Sequence, residues 1–457
     1  MRRYIIFTSA GLGLLMYSID STAVAVAFPN LIKDFGTSVL WAAWTISFYL
    51  VAVTSMMPLM GNLSDSFGRK KVYLFSLILF TASSLACGFA PNIHSLVIFR
   101  FLQGMGGASF LPTAAGIVSD QFPGHRERAI GLFTSIFPIG GIVGPNLGGW
   151  IVSRFSWRYI FYINLPIGVV LITLIILLLE DRKILSRPHI DFVGASFFSG
   201  AILFLMLGLN VIAENFSIPS FLLAAMLLVI SFTFLYLFFR QEGKDSNPVL
   251  DMALLRSKPF LAANVYNMMV GVGIFGLFSF IPLYATSVHN LSTLMSGMIM
   301  TPRFLGMIPA AAITSFLLKR WGYRGPMVLG LSVISISTIL LGGEGLQLLR
   351  MIDTNLGVAE ILAILIMMAG IGLGIALPAS NNACIELMPE KVATITGLRG
   401  MFRAVGGAFG ISLTTMILHW SSTPDDGFNI TFISFALVFL FIIPLVFLMP
   451  NGKQQKG

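Results

Sequence analysis

Asp20 stands alone in the apolar run 14–24, LLMYSIDSTAV. At the depth of a lipid bilayer a charged side chain costs about 2.5–3.5 kcal/mol or more unless it faces a cavity, a partner or a proton. A group placed this way can change charge between two states, because burial favours a neutral carboxyl and a nearby cation favours the ionised one. Of the 19 acids in the chain, Asp20 is the one placed deep in an apolar segment, with Glu360 next, near the outer end of its own. None of the 5 histidines competes: His94, His289 and His419 fall near one set of segment ends, His125 and His189 near the other. Asp20 is therefore the expected proton carrier, and a permanently paired structural acid is the competing reading.

A cation lies within reach. At ~1.5 Å rise per residue, Arg100 sits about six residues and Asp20 about eleven from the same end of their segments. A long Arg side chain closes much of that difference, so an Asp20–Arg100 contact is expected. Arg303 invites a similar reading later in the chain. Tyr17, Gln103, Asn146, Tyr266 and Asn267 are the polar points expected to line a substrate cavity. Many of the 40 Phe and 23 Met would face lipid, and the rest suit a soft apolar cavity that adapts to varied ligands.

The elements that position these groups follow from composition. Hydrophobic residues make up 56% and charged residues 10% of the chain, far below the roughly 25% charged residues of a soluble domain. A membrane span needs about 20 mostly apolar residues. The expected spans lie near 5–31, 40–62, 71–90, 94–118, 128–152, 159–179, 191–213, 218–239, 259–285, 293–318, 326–343, 355–379, 393–419 and 428–449. Alternation at period two is absent, which favours helices over a barrel.

Most of the cations fall in loops of one side, among them Arg2, Arg3, Arg69, Lys70, Arg320, Arg324, Arg399 and Arg403, while Lys33, Arg154, Arg158 and Arg350 fall on the other. The positive-inside rule then puts both termini in the cytoplasm. The net charge of +9 is a topology signal, not one of nucleic-acid binding. Cys87 and Cys384 give no disulfide framework. No small-residue cleavage site follows Asp20, so the first helix is expected to stay as an anchor.

Charge and turn signals divide the chain into 1–183, a two-span insert over 184–250, and 251–457. The stretch Gly61…Asp65…Gly68-Arg69-Lys70 aligns with 315–324, in which Lys319 replaces the acid and Gly322 keeps the turn. Asp65 can accept bonds at a helix N-terminus, with Arg69 and Lys70 holding neighbouring carboxylates. Gly141, Gly144 and Gly148 clear one stripe of a helix for close approach, and Pro145 removes a backbone donor there. Gly406, Gly407 and Gly410 repeat the device.

Taken in order, these motifs resemble the major facilitator superfamily. Gly61…Asp65…Gly68-Arg69-Lys70 resembles its conserved cytoplasmic loop, Arg100-Phe-Leu-Gln103-Gly104 its fourth-helix motif, and Gly140-Gly141-Ile-Val-Gly144-Pro145 its fifth-helix antiporter motif. The run Ile19-Asp20-Ser21-Thr22-Ala-Val24-Ala25, with Trp157-Arg158…Asn164-Leu-Pro166 and Thr301-Pro302-Arg303, resembles the fourteen-span drug:proton antiporter branch. Ala25 stands where that branch usually has Asn.

The resemblance implies an all-α membrane protein of major facilitator fold, two six-helix bundles plus two inserted transmembrane helices. It also implies export of lipophilic cationic or neutral compounds in exchange for protons, with Arg100 helping to set proton release from Asp20. Gly61, Asp65, Gly68, Arg69 and Lys70 would form a conformational latch. The expected location is a bacterial plasma (inner) membrane. The partners are a small lipophilic substrate, protons and lipid, with no nucleic acid, no cofactor and no metal, and the protein would work as a monomer. Export of an endogenous lipid, siderophore or metabolite is the alternative cargo, and a structural or receptor-like membrane protein the non-transport alternative. No HExxH, GxSxG or Walker signature points to an enzyme.

Overall fold

The computed structural model describes residues 2–123, 129–130, 132–133, 135–180, 192–214, 218–242, 257–343, 345–347, 356–387 and 392–452. His125, His189 and Arg350 lie outside these residues, and so do the side chains of Asp65 and Lys319. Among the described residues every regular element is helical.

The elements that matter below are α1 (Arg2–Ala23), α2 (Phe28–Phe35), α3 (Val39–Phe67), α4 (Arg69–Gly88), α5 (Ile93–Gly107), α6 (Pro112–Gln121), α7 (Ile136–Arg154) and α8 (Asn164–Leu178). Then come α9 (Phe192–Glu214), α10 (Ile218–Glu242), α11 (Lys258–Phe278), α12 (Ile281–Ser287), α13 (Thr293–Met298), α14 (Thr301–Trp321), α15 (Arg324–Leu340), α16 (Val358–Leu387), α17 (Val392–Trp420) and α18 (Pro424–Phe441).

Eleven helices among the described residues are long and apolar enough to cross a membrane. The three other expected spans are helical too: one is split, one is shorter, and α9 runs unbroken over Phe192–Glu214. The span expected near 94–118 is split into α5 and α6, and Pro112 explains the break. It lacks an amide N–H, and its ring would clash with the carbonyl four residues back, so it starts a helix rather than continuing one. The other two, near 191–213 and 326–343, correspond to α9 and to the shorter apolar helix α15.

The chain forms two compact units, Met1–Val211 with Phe216–Gln241, and Ile212–Asn215 with Glu242–Gly457. The inserted pair α9 and α10 thus falls largely with the first unit. In that unit Tyr17, Tyr73, Phe80, Phe110 and Phe133 build an aromatic core. The boundary between α3 and α4 is set by Gly68, at φ 96°, and that between α14 and α15 by Gly322, at φ 71°. These are the aligned glycines of the internal repeat, and a backbone at such φ favours a residue without Cβ.

Glycine also sets helix spacing. A Cβ on Gly144 would press on Thr22 and stand 2.9 Å from the Ile19 carbonyl, and one on Gly148 would stand 3.0 Å from the Ala23 carbonyl. Gly140 meets Ser18 in the same way, so the α1–α7 seam runs through Gly140, Gly144 and Gly148, while Gly141 and Pro145 are buried alongside. In the second unit, Gly406 and Gly410 on α17 abut the Met268 and Val272 carbonyls of α11, Gly407 abuts Phe275, and Gly271 of α11 abuts the Arg403 carbonyl. A methyl group at these places must displace backbone. We expect Gly406→Ala to lower stability by about 1–3 kcal/mol, whereas Gly400→Ala, with nothing within 4 Å of the new Cβ, leaves it unchanged. Thermal unfolding of the purified variants in detergent measures both, and equal melting points would contradict this account of the seam.

Candidate functional site

Five helices of the first unit bring their polar side chains to one buried point. Asp20 lies near the C-terminal end of α1 and is 1% exposed, while Arg100 and Gln103, one turn apart on α5, are 0% exposed. Arg100 Nη1 donates to Asp20 Oδ2 at 2.6 Å and to Gln103 Oε1 at 2.7 Å. Gln103 Nε2 and Asn164 Nδ2 each donate to Asp20 Oδ1 at 2.9 Å. The expected Asp20–Arg100 contact is therefore present as a buried ion pair.

The pair is wired into its surroundings. Arg100 Nε donates to the Thr45 carbonyl at 3.0 Å, and the guanidinium lies 4.0 Å from the centre of the Tyr49 ring. Its Nη2 has no hydrogen-bond partner, and an aromatic face is the group that attracts a cation there. Asn164, at the first turn of α8, also donates to Ser84 Oγ at 3.0 Å, and Ser84 Oγ donates to the Phe161 carbonyl at 2.9 Å. Cys87 approaches Gln103 Oε1 at 3.7 Å.

The chemistry follows from who donates. Every partner of Asp20 is a donor, and three hydrogen bonds supply what a buried carboxylate needs when water is excluded. Arg100 also has holds that do not involve Asp20: the Thr45 carbonyl, Gln103 Oε1 and the Tyr49 ring. The α1–α7 seam borders the acid, since Gly140, Gly144 and Gly148 contact Ser18, Ile19, Thr22 and Ala23.

The remaining sequence-derived residues are placed as follows. Tyr17 packs its ring 6.2 Å from Tyr49, 6.2 Å from Phe110 and 5.9 Å from Phe137. Gln103, expected to line the cavity, bonds both members of the ion pair. Asn146 Nδ2 donates to the Ile142 carbonyl at 2.7 Å. In the second unit Tyr266 and Asn267 are fully buried, and Arg303 lies between the rings of Phe278 at 4.5 Å and Phe304 at 4.4 Å. Of the expected latch, Arg69 pairs with Asp120 at 2.6 Å and donates to the Gly116 carbonyl. Lys70 donates to the Ile176 carbonyl at 3.0 Å, Gly68 provides the turn, and Gly61 comes within 3.8 Å of Pro112 by a notional Cβ. The Asp65 side chain lies outside what is described.

Sequence reasoning did not single out Asn164, Ser84, Thr45 or Tyr49. For Asn164 a signal existed: with Thr173 it is one of two polar side chains in the run NLPIGVVLITLIILL. Thr45 acts through its carbonyl, which no side-chain pattern reveals. Among the described residues no cluster of His, Cys, Asp and Glu could hold a metal ion.

The sequence model of the Major Facilitator Superfamily matches residues 10–192 and 190–411. Multidrug resistance protein 3 of Bacillus subtilis (strain 168) is 30% identical over 424 residues, covering 92% of this chain and 80% of that protein. The multidrug transporter protein MdtP of the same organism is 29% identical over 420 residues, covering 92% and 76%. The tetracenomycin C resistance and export protein of Streptomyces glaucescens is 28% identical over 417 residues, covering 90% and 75%. Among solved structures, a peptide transporter, POT, in complex with sulfate superposes with a TM-score of 0.70 at 15% identity, covering 98% of this chain and 96% of that one. A bacterial homologue of the human lysosomal transporter Spinster gives 0.68 at 15% identity, again over 98% and 96%. At such identity the structural likeness speaks for the fold alone.

Removing one member of a buried pair leaves the other uncompensated, at about 3–5 kcal/mol. We expect Asp20→Asn and Arg100→Gln each to lower stability strongly, and the double variant to lose much less than their sum. Asn164→Ala should cost about 1 kcal/mol. Unfolding of the purified proteins reads all three, and strictly additive losses would contradict a coupled pair.

Proposed function

We propose a proton-coupled exporter of lipophilic compounds: the chain belongs to the Major Facilitator Superfamily, and it is an integral multi-pass membrane transporter rather than an enzyme. The names of its relatives speak of multidrug transport, multidrug resistance and export of tetracenomycin C. To this chain we carry over the export of lipophilic, cationic or neutral compounds. The reading places it in a bacterial plasma membrane with both termini in the cytoplasm, acting as a monomer without cofactor or nucleic acid, its energy drawn from the proton gradient.

The observation that carries the coupling is the buried pair of Asp20 and Arg100, with Gln103 and Asn164 completing the acceptor shell of the acid. In the proposed cycle the pair opens as α1 shifts, Asp20 takes a proton, and Arg100 stays on the Thr45 carbonyl and the Tyr49 ring. Return of the proton lets the pair close again. A cationic cargo and a proton then compete for the same negative charge, which is sufficient for exchange. The polar contacts for cargo are assigned to Tyr17, Gln103 and Asn146 in the first unit, and separately to Tyr266, Asn267 and Arg303 in the second. The glycines of the two seams are the sliding surfaces, and Gly61, Asp65, Gly68, Arg69 and Lys70 the latch.

In proteoliposomes with an imposed pH gradient, we expect ethidium transport to follow the gradient and ethidium addition to release protons. Asp20→Asn should abolish both. Gradient-driven transport that persists in this variant at the wild-type rate would remove Asp20 from the coupling. A cysteine introduced at either terminus should react with an impermeant maleimide only from the cytoplasmic face, and labelling from outside would reverse the orientation.

A further inference from the structure

We infer that the second unit holds a binding site for an oxyanion of the carboxylate or phosphate type, built on Arg399 with Tyr266 and Asn267. The sequence counts Arg399 among the cations marking the cytoplasmic side, near the start of the span expected over 393–419. The structure places it in α17, and Nε and Nη1 of its guanidinium are buried with no hydrogen-bond partner. No ion pair involves it among the described residues. Among the described residues the titratable groups placed to act on it are Cys384 and Tyr266, a neutral thiol and a neutral phenol rather than carboxylates.

Other unanswered polar groups lie beside it. Tyr266 and Asn267 are both 0% exposed, and the Tyr266 hydroxyl and Asn267 Oδ1 have no hydrogen-bond partner. Asn267 Nδ2 donates to the Ala263 carbonyl at 2.7 Å and to Cys384 Sγ at 3.5 Å. Ser380, one turn before Cys384 on α16, adds a buried hydroxyl that also has no hydrogen-bond partner. Three helices, α11, α16 and α17, thus contribute to one polar locality inside an otherwise apolar bundle.

The chemistry selects the occupant. Buried polar atoms are normally partnered, and a buried cation normally has a counter-charge. Water would satisfy N–H and O–H groups but would leave the positive charge uncompensated. Nε–H and Nη1–H lie on different edges of the guanidinium, and each can donate to an oxygen of a carboxylate or phosphate, whose negative charge compensates the cation. The Tyr266 hydroxyl can supply a further donor, and Asn267 Oδ1 can accept from an O–H or N–H next to the acidic group. The site lies within the second unit and uses neither Asp20 nor Arg100. It therefore goes beyond the proposed exchange by admitting an acidic or zwitterionic group.

The test uses the full-length protein in detergent, without any gradient, so failure of proton coupling leaves the readout intact. Calorimetry and thermal shift would compare sodium benzoate with neutral benzamide, and then inorganic phosphate. Nanodiscs of phosphatidylglycerol and of phosphatidylcholine distinguish a lipid headgroup from a free anion. We expect saturable binding of benzoate or phosphate, or selective stabilisation by phosphatidylglycerol, with benzamide inactive. Arg399→Gln should weaken that binding by about tenfold or more, Arg399→Lys should weaken it less, and Arg320→Gln, which removes an exposed cation of the same unit, should leave it unchanged. Should Arg399→Gln fail to fold, Tyr266→Phe removes one hydroxyl and should weaken binding by itself. Equal responses to benzoate and benzamide, or full anion affinity in Arg399→Gln or in a folded Tyr266→Phe, would overturn the site.

Discussion

Burying a positive and a negative charge together is the constraint around which the first unit is arranged. Each charge would be costly in hydrocarbon, and their attraction offsets that cost only when the remaining hydrogen-bonding capacity is also met. The unit meets it from several directions. Gln103 answers both charges at once, accepting from Arg100 and donating to Asp20. Asn164 and Ser84 extend the acid's shell into α8 and α4, and the Thr45 carbonyl and Tyr49 ring hold the cation from α3. Close approach of α7 to α1 beside the acid is possible because Gly140, Gly144 and Gly148 bring no side chain to the seam.

Much of this was legible in the residues. Composition and apolar length announce membrane helices, and isolation in an apolar run marks Asp20. Helix rise alone brings Arg100 within reach of it. What stayed hidden depends on groups distant in sequence. Asn164 is separated from Asp20 by 144 positions, and nothing local says that its amide turns toward that carboxylate. Ala25 stands where the related branch has Asn, so this position brings no polar side chain to the acid's shell. Gln103 and Asn164 supply that shell from elsewhere. The glycine stripe on α7 was seen, and Gly140 joins Gly144 and Gly148 on its contact line with α1. The α5–α6 break shows the opposite case, a purely local cause in Pro112 that an apolar window averages away.

Arg399 illustrates how a topology count hides chemistry. A cation a few residues inside or outside a helix end carries the same weight in a topology count, since the count asks only which side it is on. Its surroundings differ entirely. In a loop it is solvated; here Nε and Nη1 are enclosed without a partner. Arg303 marks a third situation, with ring faces of Phe278 and Phe304 on either side. Three arginines at apolar positions are thus handled by a carboxylate, by aromatic faces, and by neither.

The arrangement of holds on Arg100 also bears on why an ion pair, rather than a lone acid, suits a transport cycle. A lone buried acid must find new solvation each time it ionises. A paired acid loses one partner when it moves, and the partner must not be stranded by the loss. Arg100 is anchored on α3 and α5 by contacts that do not involve α1, whereas the donors to Asp20 come from α5 and α8. Displacing α1 therefore separates the charges without dismantling the site that holds the cation. The α1–α7 seam brings no side chain from Gly140, Gly144 or Gly148, and one hydrogen bond, from Ser18 Oγ to the Phe137 carbonyl, crosses it. A cation held from α3 and α5, an acid on α1 and a glycine-lined helix contact thus occur together in the first unit, which is the arrangement the proposed cycle draws on.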